Sequence, residues 1–274
     1  MEGAGDYPLM APRARRVGST LTFELDGAAT LHLQIAVAAP DEERLEVRQG
    51  ERRLETHEVR TAGGRIHVVE ATEGPLDVSY EATVGADEGK PRPVSEAERI
   101  EALRPSRYCP SDELGGFAAR QFDLSRAPTD LLSDVVAFVA GHLVYTAGAS
   151  GPTDTAVDTL LAGAGVCRDY AHLTATLLRA VDIRARIVAV YAPGLWPMDF
   201  HAVVEADIDG GWRVADSTGL ASRPALARIA HGRDAADTAF VTTFGPARLL
   251  DQTITAVIDG DLPTDDGRAL VSLA

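Results

Sequence analysis

Between residues 19 and 84 apolar side chains recur at every second position in short runs: Leu21-Thr-Phe-Glu-Leu25, Leu31-His-Leu-Gln-Ile35, Leu45-Glu-Val47 and Ile66-His-Val68. Turn formers separate them, namely Asp26-Gly27, Ala39-Pro40 and Gly63-Gly64. A period of two belongs to strands covered on one face, and its repetition at short spacing predicts a small antiparallel β-sandwich. A polar stretch rich in breakers follows at 85–93 (Gly-Ala-Asp-Glu-Gly-Lys-Pro-Arg-Pro) and marks a domain boundary. Beyond it the period becomes helical. Thr129 is placed to cap a helix carrying Leu131, Leu132, Val135, Val136, Val139 and Leu143 on one face. A short helix starts at Thr153 and ends in Ala162-Gly-Ala-Gly165, and a third spans 167–181 with Leu173, Leu177, Leu178 and Val181 as its apolar face. Three strand-like runs come next, at 183–191, 200–208 and 212–217, then a fourth at 253–258 and an acidic tail expected to be mobile. Helices followed by a strand meander predict an α+β fold. The expected division is a β-rich domain at 1–92, a core at 93–259 and a tail at 260–274.

Composition narrows the function classes. A net charge of −15 over 274 residues argues against nucleic-acid or anionic-membrane binding, which needs clustered Lys and Arg. Lys90 is the only lysine, which reads as coding bias toward arginine. No stretch approaches the roughly 18 apolar residues of a membrane span, and the first sixteen residues lack a signal peptide's apolar segment. Two cysteines, Cys109 and Cys167, are too few for a disulfide framework or an all-protein zinc site. A cytoplasmic protein without metal or cofactor is the expectation.

The chemistry centres on Cys167. It follows Gly163-Ala-Gly-Val166 and opens a helix, where the partial positive charge of the first-turn amides favours a thiolate. Free cysteines are also commonly small buried hydrophobes, so position alone does not decide. Asp169 suits the helix dipole but would oppose a thiolate if it lay close to the sulfur. Among seven histidines, His172 diverges from Cys167 by about 140° around the helix. His201 instead opens a strand after the loop Pro193-Gly-Leu-Trp-Pro-Met-Asp199. Asp209-Gly210 predicts a two-residue hairpin turn pairing Ile208 with Gly211, which places His201 opposite Thr218 and Asp216 diagonal to it on the same face. A bulge would reverse that parity. A helix-start Cys, a strand-start His and a neighbouring Asp are what thiol catalysis requires.

These residues resemble the transglutaminase-like superfamily, in particular its bacterial cysteine proteases. The resemblance rests on Gly165-Val-Cys-Arg-Asp-Tyr-Ala-His172, Tyr191-Ala-Pro-Gly194, Met198-Asp-Phe-His-Ala202 and Trp212-Arg-Val-Ala-Asp-Ser-Thr218. It extends upstream to Pro105-Ser-Arg-Tyr-Cys-Pro-Ser-Asp112 and downstream to Gly232-Arg-Asp-Ala-Ala-Asp-Thr-Ala-Phe240. It implies a papain/transglutaminase-like core of helices on an antiparallel sheet, with Cys167 as nucleophile, His201 as base and Asp216 orienting His201. The implied reaction is acyl transfer from an amide or isopeptide of a peptide or protein substrate through a thioester, to water in a protease or amidase and to an amine in a transglutaminase. The Cys167 amide is the expected first oxyanion donor and Tyr108 or Tyr170 the second, with Trp196 covering the cleft. Asp234 and Asp237 shape the rim or hold a loop, and Cys109 reads as a buried thiol. A catalytically silent peptide-binding module is the competing reading, and a metal site on Cys167 and His201 lacks further ligands at the required spacing.

Overall fold

The structure, a computed structural model, describes residues 14–85 and 93–273. The first thirteen residues and most of the expected linker at 85–93 lie outside the described residues. Seven strands come first: β1 (Arg15–Leu25), β2 (Ala29–Leu33), β3 (Glu42–Gln49), β4 (Arg52–Leu54), β5 (His57–Arg60), β6 (Arg65–Ala71) and β7 (Gly74–Val84). The second half comprises α1 (Glu96–Glu101), α2 (Gly115–Gln121), α3 (Pro128–His142), β8 (Val144–Tyr145), α4 (Ala156–Ala162), β9 (Ala164–Gly165) and α5 (Cys167–Ala180). It continues with β10 (Ala185–Tyr191), β11 (His201–Ile208), β12 (Gly211–Ala215), β13 (Ala227–Gly232), α6 (Ala235–Thr238), β14 (Val241–Phe244) and β15 (Ala247–Ile258). The fold is α+β.

Two antiparallel sheets, ordered β15-β1-β7-β3-β4 and β14-β2-β6-β5, form the sandwich. Leu21, Phe23, Leu31, Leu33, Leu76 and Val78 fill it, each alternating with an outward residue as a half-covered strand requires. Two of its strands come from the far end of the chain. Residues 241–258, grouped by sequence with the core, pair instead with β2 and β1. Strand β6 also departs from its expected parity: Arg65, His67, Val69 and Ala71 face inward, not Ile66 and Val68. The Arg65 guanidinium is neutralised there by Glu43 and bonds to the Val37 carbonyl, so a charge sits where the alternation predicts a hydrocarbon. Ile66 faces the opposite way, into a cavity of about 910 Å³ between this sheet, α1 and β13. The strand still alternates, but its buried positions are held by Arg65 and His67 while Ile66 and Val68 sit on the half-exposed face.

The core is a four-stranded antiparallel sheet, β12-β11-β10-β13, against which α5 lies. Helix α5 is buried from Asp169 to Arg179, and Leu173, Leu177 and Leu178 pack with Val135 and Val139 of α3 and Ile187 and Val204 of the sheet. At about 1.5–3 kcal/mol per buried leucine, this apolar face anchors the helix that begins at Cys167. Helix α3 starts earlier than expected, with Pro128 in its first turn rather than Thr129 as cap, and α4 is capped by Thr155 through Asp158. The halves share a core: Tyr191, Ala227 and Ile229 of the sheet lie among the sandwich residues, and the Tyr191 hydroxyl donates to the Ile35 carbonyl at 2.9 Å.

Residues 260–273, expected as a mobile tail, run across the core. Arg223 grips Asp265 through two nitrogens, Val271 accepts a bond from Val214 at the free side of β12, and Leu273 is buried beside Val188 and Val203. The acidic residues that suggested a solvated tail supply the carboxylate of this clamp.

Candidate active site

Helix α5 begins where the chain makes a close turn. Gly165 belongs to a two-residue parallel bridge, β9 against β8, with Tyr145 opposite it. A Cβ at Gly165 would lie 2.6 Å from Cβ of Asp169, so only glycine fits this approach. Asp169 turns back toward the helix start, where its carboxylate accepts from the Val166 amide (2.8 Å), the Ser150 hydroxyl (2.6 Å) and Arg168 (3.0 Å). The charge that could oppose a thiolate is thereby buried and met by three donors. Cys167 occupies the first helical position and stays partly exposed.

The hairpin has the expected register. Asp209 and Gly210 both take positive φ, Ile208 pairs with Gly211, and pairing runs to Val204 opposite Ala215. Asp216 follows the last pair, and its Oδ2 lies 2.9 Å from Nε2 of His201. The bond uses Nε2, which leaves Nδ1 unengaged by Asp216, and Cys167 is the second group that acts on the imidazole. Both side chains are almost sealed, at 1% and 2% exposure. Burial opposes charge on His201, but the Asp216 and Cys167 contacts outweigh it and raise the imidazole to about 10. Burial likewise pushes the Asp216 carboxyl up, yet the His201 bond and charge and two bonds from Thr218 hold it below its ordinary value.

Tyr145 is the member that sequence reasoning missed. The β8–β9 bridge carries it over the helix start, where its hydroxyl lies close enough to the Cys167 thiol and backbone amide for both to act on the phenol. Burial, and then the Cys167 contact, raise the phenol to about 12, so it stays a donor at neutral pH. Only Gly163-Ala-Gly165, read as a helix stop, hinted that a second strand could approach here. Tyr170, expected as a second oxyanion donor, is committed elsewhere: its hydroxyl donates to the Leu143 carbonyl at 2.8 Å, pinning the segment that presents Tyr145. Tyr108 stacks on His172 at 5.3 Å. Its backbone N–H donates to Asp234, which with the Arg233–Asp237 pair ties 106–109 to α6, so these acids hold a loop. Cys109 is fully buried in that knot, and burial pushes its thiol up to about 11. Trp196 does not close over the triad; it stands 86% exposed on the loop before His201. The loop's last residue, Asp199, accepts from Gln252 of β15 at 2.8 Å, and its charge acts on both His201 and Tyr145.

A partly exposed helix-start thiol, a sealed His–Asp pair and a phenol donor over the thiol define a candidate thiol acyl-transfer site. Residues 116–217, which contain Cys167, His201 and Asp216, match the transglutaminase-like superfamily. The crystal structure of a "putative cysteine protease" from Cytophaga hutchinsonii is 30% identical and superposes with a TM-score of 0.84, over 94% of this chain and 96% of that one. An uncharacterised protein of Mycobacterium leprae (strain TN) is 25% identical over 150 residues, 51% of this chain and 53% of that protein. The match thus spans about half the length of that curated relative. The chain belongs to the transglutaminase-like superfamily. No helix among the described residues is long and apolar enough to cross a membrane.

Proposed function

We propose that the protein is a cysteine protease or amidase that cleaves an amide or isopeptide bond through a thioester on Cys167. The observation that carries this reading is the relay at the helix start, with Cys167 on one side of the sealed imidazole and Asp216 2.9 Å away on the other. In the first step His201 takes the thiol proton, and the Cys167 sulfur attacks the carbonyl carbon. As the C–N bond breaks, the imidazolium passes its proton to the leaving amine, leaving an acyl group on sulfur. Asp216 does not take a proton; it keeps the imidazole oriented and stabilises its cationic form. The Cys167 amide and the Tyr145 hydroxyl lie together beside the sulfur, where a tetrahedral oxyanion develops, and serve as its donors. Water, deprotonated by His201, then cleaves the thioester to acid and free thiol. Both cysteines are free, which suits a reducing cytoplasm.

The test is iodoacetamide alkylation of Cys167 across pH 5–9 in wild type and His201→Ala, with Cys109 as internal control. A Cys167 rate at pH 6 well above that of a free thiol such as glutathione, lost with His201, is expected, while sealed Cys109 reports whether the fold is kept. A Cys167 rate no higher than that of glutathione across this range in folded wild type would refute the reading. Turnover of peptides with and without an amine acceptor then separates hydrolysis from transamidation, and Cys167→Ala should abolish either.

A further inference from the structure

β15 is the last strand of the larger sandwich sheet, and among the described residues no strand pairs with its outer side. Asp259 donates to the Ala14 carbonyl, so by antiparallel alternation the peptide groups of 257, 255 and 253 also face β1. Those of Ile254, Ala256 and Ile258 point away from the sheet. Their side chains alternate with exposed Thr253, Thr255 and Val257, and residues 252–258 hold no charge, proline or glycine. Soluble proteins blunt such edges with lysine, proline or a bulge; here the register shift lies before this run, between Asp251 and Leu249. A bare, β-branched edge of six residues, about 20 Å long, is a template for another strand.

Its position indicates which strand. Gln252, at one end of the run, is bonded to Asp199 two residues before His201. Four residues past the other end Leu262 lies over Gly194, so the loop at 194–199, with exposed Trp196, meets the chain on either side of the run. A second copy is a poor occupant, because a net charge of −15 opposes self-association. We infer that the outer edge of β15 docks an extended, neutral or cationic segment of the polypeptide substrate, adding it as a sixth strand and leading it past Trp196 toward Cys167. This deepens the acyl-transfer reading and rests on it for the word substrate.

Docking is measured in Cys167→Ala protein, where no turnover occurs, by fluorescence anisotropy with labelled, reduced and carboxamidomethylated lysozyme, an unfolded cationic polypeptide. Ala256→Pro removes an outward N–H without taking a bond from β1, and Thr255→Lys with Val257→Lys protects the edge by charge on exposed positions. At least a tenfold loss of affinity is expected in both backgrounds, with unchanged iodoacetamide reactivity of Cys167 when the same substitutions are made in wild type. Affinity within twofold of the parent in both variants, or no binding by the parent, overturns the assignment. So does a dimer, seen by sedimentation, that these substitutions dissociate while polypeptide affinity stays the same. Should the edge variants lose binding while wild-type Cys167 reacts no faster than glutathione, the docking edge stands and the thiol chemistry falls.

Discussion

Replacing Asp216 with Asn removes one negative charge and almost nothing else from the site. The His201 imidazole rises from an ordinary 6.5 to about 10 although it is sealed from water, so its partners supply at least 3.5 units, about 5 kcal/mol at 1.36 kcal/mol per unit. Asp216 shares that work with Cys167. If it carries about half, its loss withdraws on the order of 2 kcal/mol from the imidazolium, roughly 30-fold in the population of the ion pair. The sign follows from burial: without the carboxylate, desolvation weighs more heavily and the His201 pKa falls, so the imidazolium–thiolate pair gives ground to the neutral imidazole and thiol. The assay is the second-order rate of iodoacetamide alkylation at Cys167, read by peptide mass spectrometry from pH 5.5 to 9. Asp216→Asn should be about 30-fold slower at pH 6.5 and converge on wild type at high pH, where hydroxide does the deprotonation. Circular dichroism establishes that the fold is kept. A rate within threefold of wild type at pH 6.5 would refute the electrostatic role given to Asp216.

Tyr145→Phe should cut turnover about 100-fold while leaving iodoacetamide alkylation within threefold, because alkylation develops no oxyanion; equal losses in both assays would mean the phenol acts on the thiol itself. Gly165→Ala forces a methyl to within 2.6 Å of Asp169, and a destabilisation of about 1–3 kcal/mol by urea titration is expected, with the alkylation advantage of Cys167 lost; wild-type behaviour in both would disprove the close approach. Burial pushes His172 down to about 4, so the unfolded chain binds a proton near 6.5 that the folded protein refuses, and stability falls as pH drops from 6.5 to 4 by about 3 kcal/mol. His172→Gln should lose that much less between pH 7 and pH 4 in urea titrations, and an identical loss would show the imidazole is not kept neutral.

What the sequence disclosed depended on how local the cause was. Asp209-Gly210 sets a hairpin register through its own backbone, so the approach of Asp216 to His201 could be derived from a dipeptide. The apolar stripe of α5 was equally plain, because helical period and burial coincide. Tyr145 could not be found that way: a two-residue parallel bridge leaves no periodic trace, and the glycines beneath it read as a helix stop. Arg65 and His67 misled the reading because a charged and a polar side chain hold buried positions of β6 while apolar Ile66 and Val68 take the half-exposed face. The pairing of β15 with β1 is a contact between residues as distant as Arg15 and Ile258, and no window of sequence carries it. Tyr170 looked like a donor because its position beside the nucleophile is right; only the Leu143 carbonyl shows where its proton points.

The Arg15–Ile258 pairing also sets a timetable for the growing chain. As the ribosome releases the polypeptide from its N-terminus, β1 emerges without one of its two neighbours and stays so until more than two hundred further residues have been made. The Cys167 helix and the His201 hairpin, whose partners lie close in sequence, have left the tunnel before the sandwich beside them can close. A high proportion of such distant contacts slows folding and exposes strand edges meanwhile. Ribosome-stalled chains whose residue 240 has just left the tunnel should therefore hold a formed core beside an unfinished, protease-sensitive sandwich.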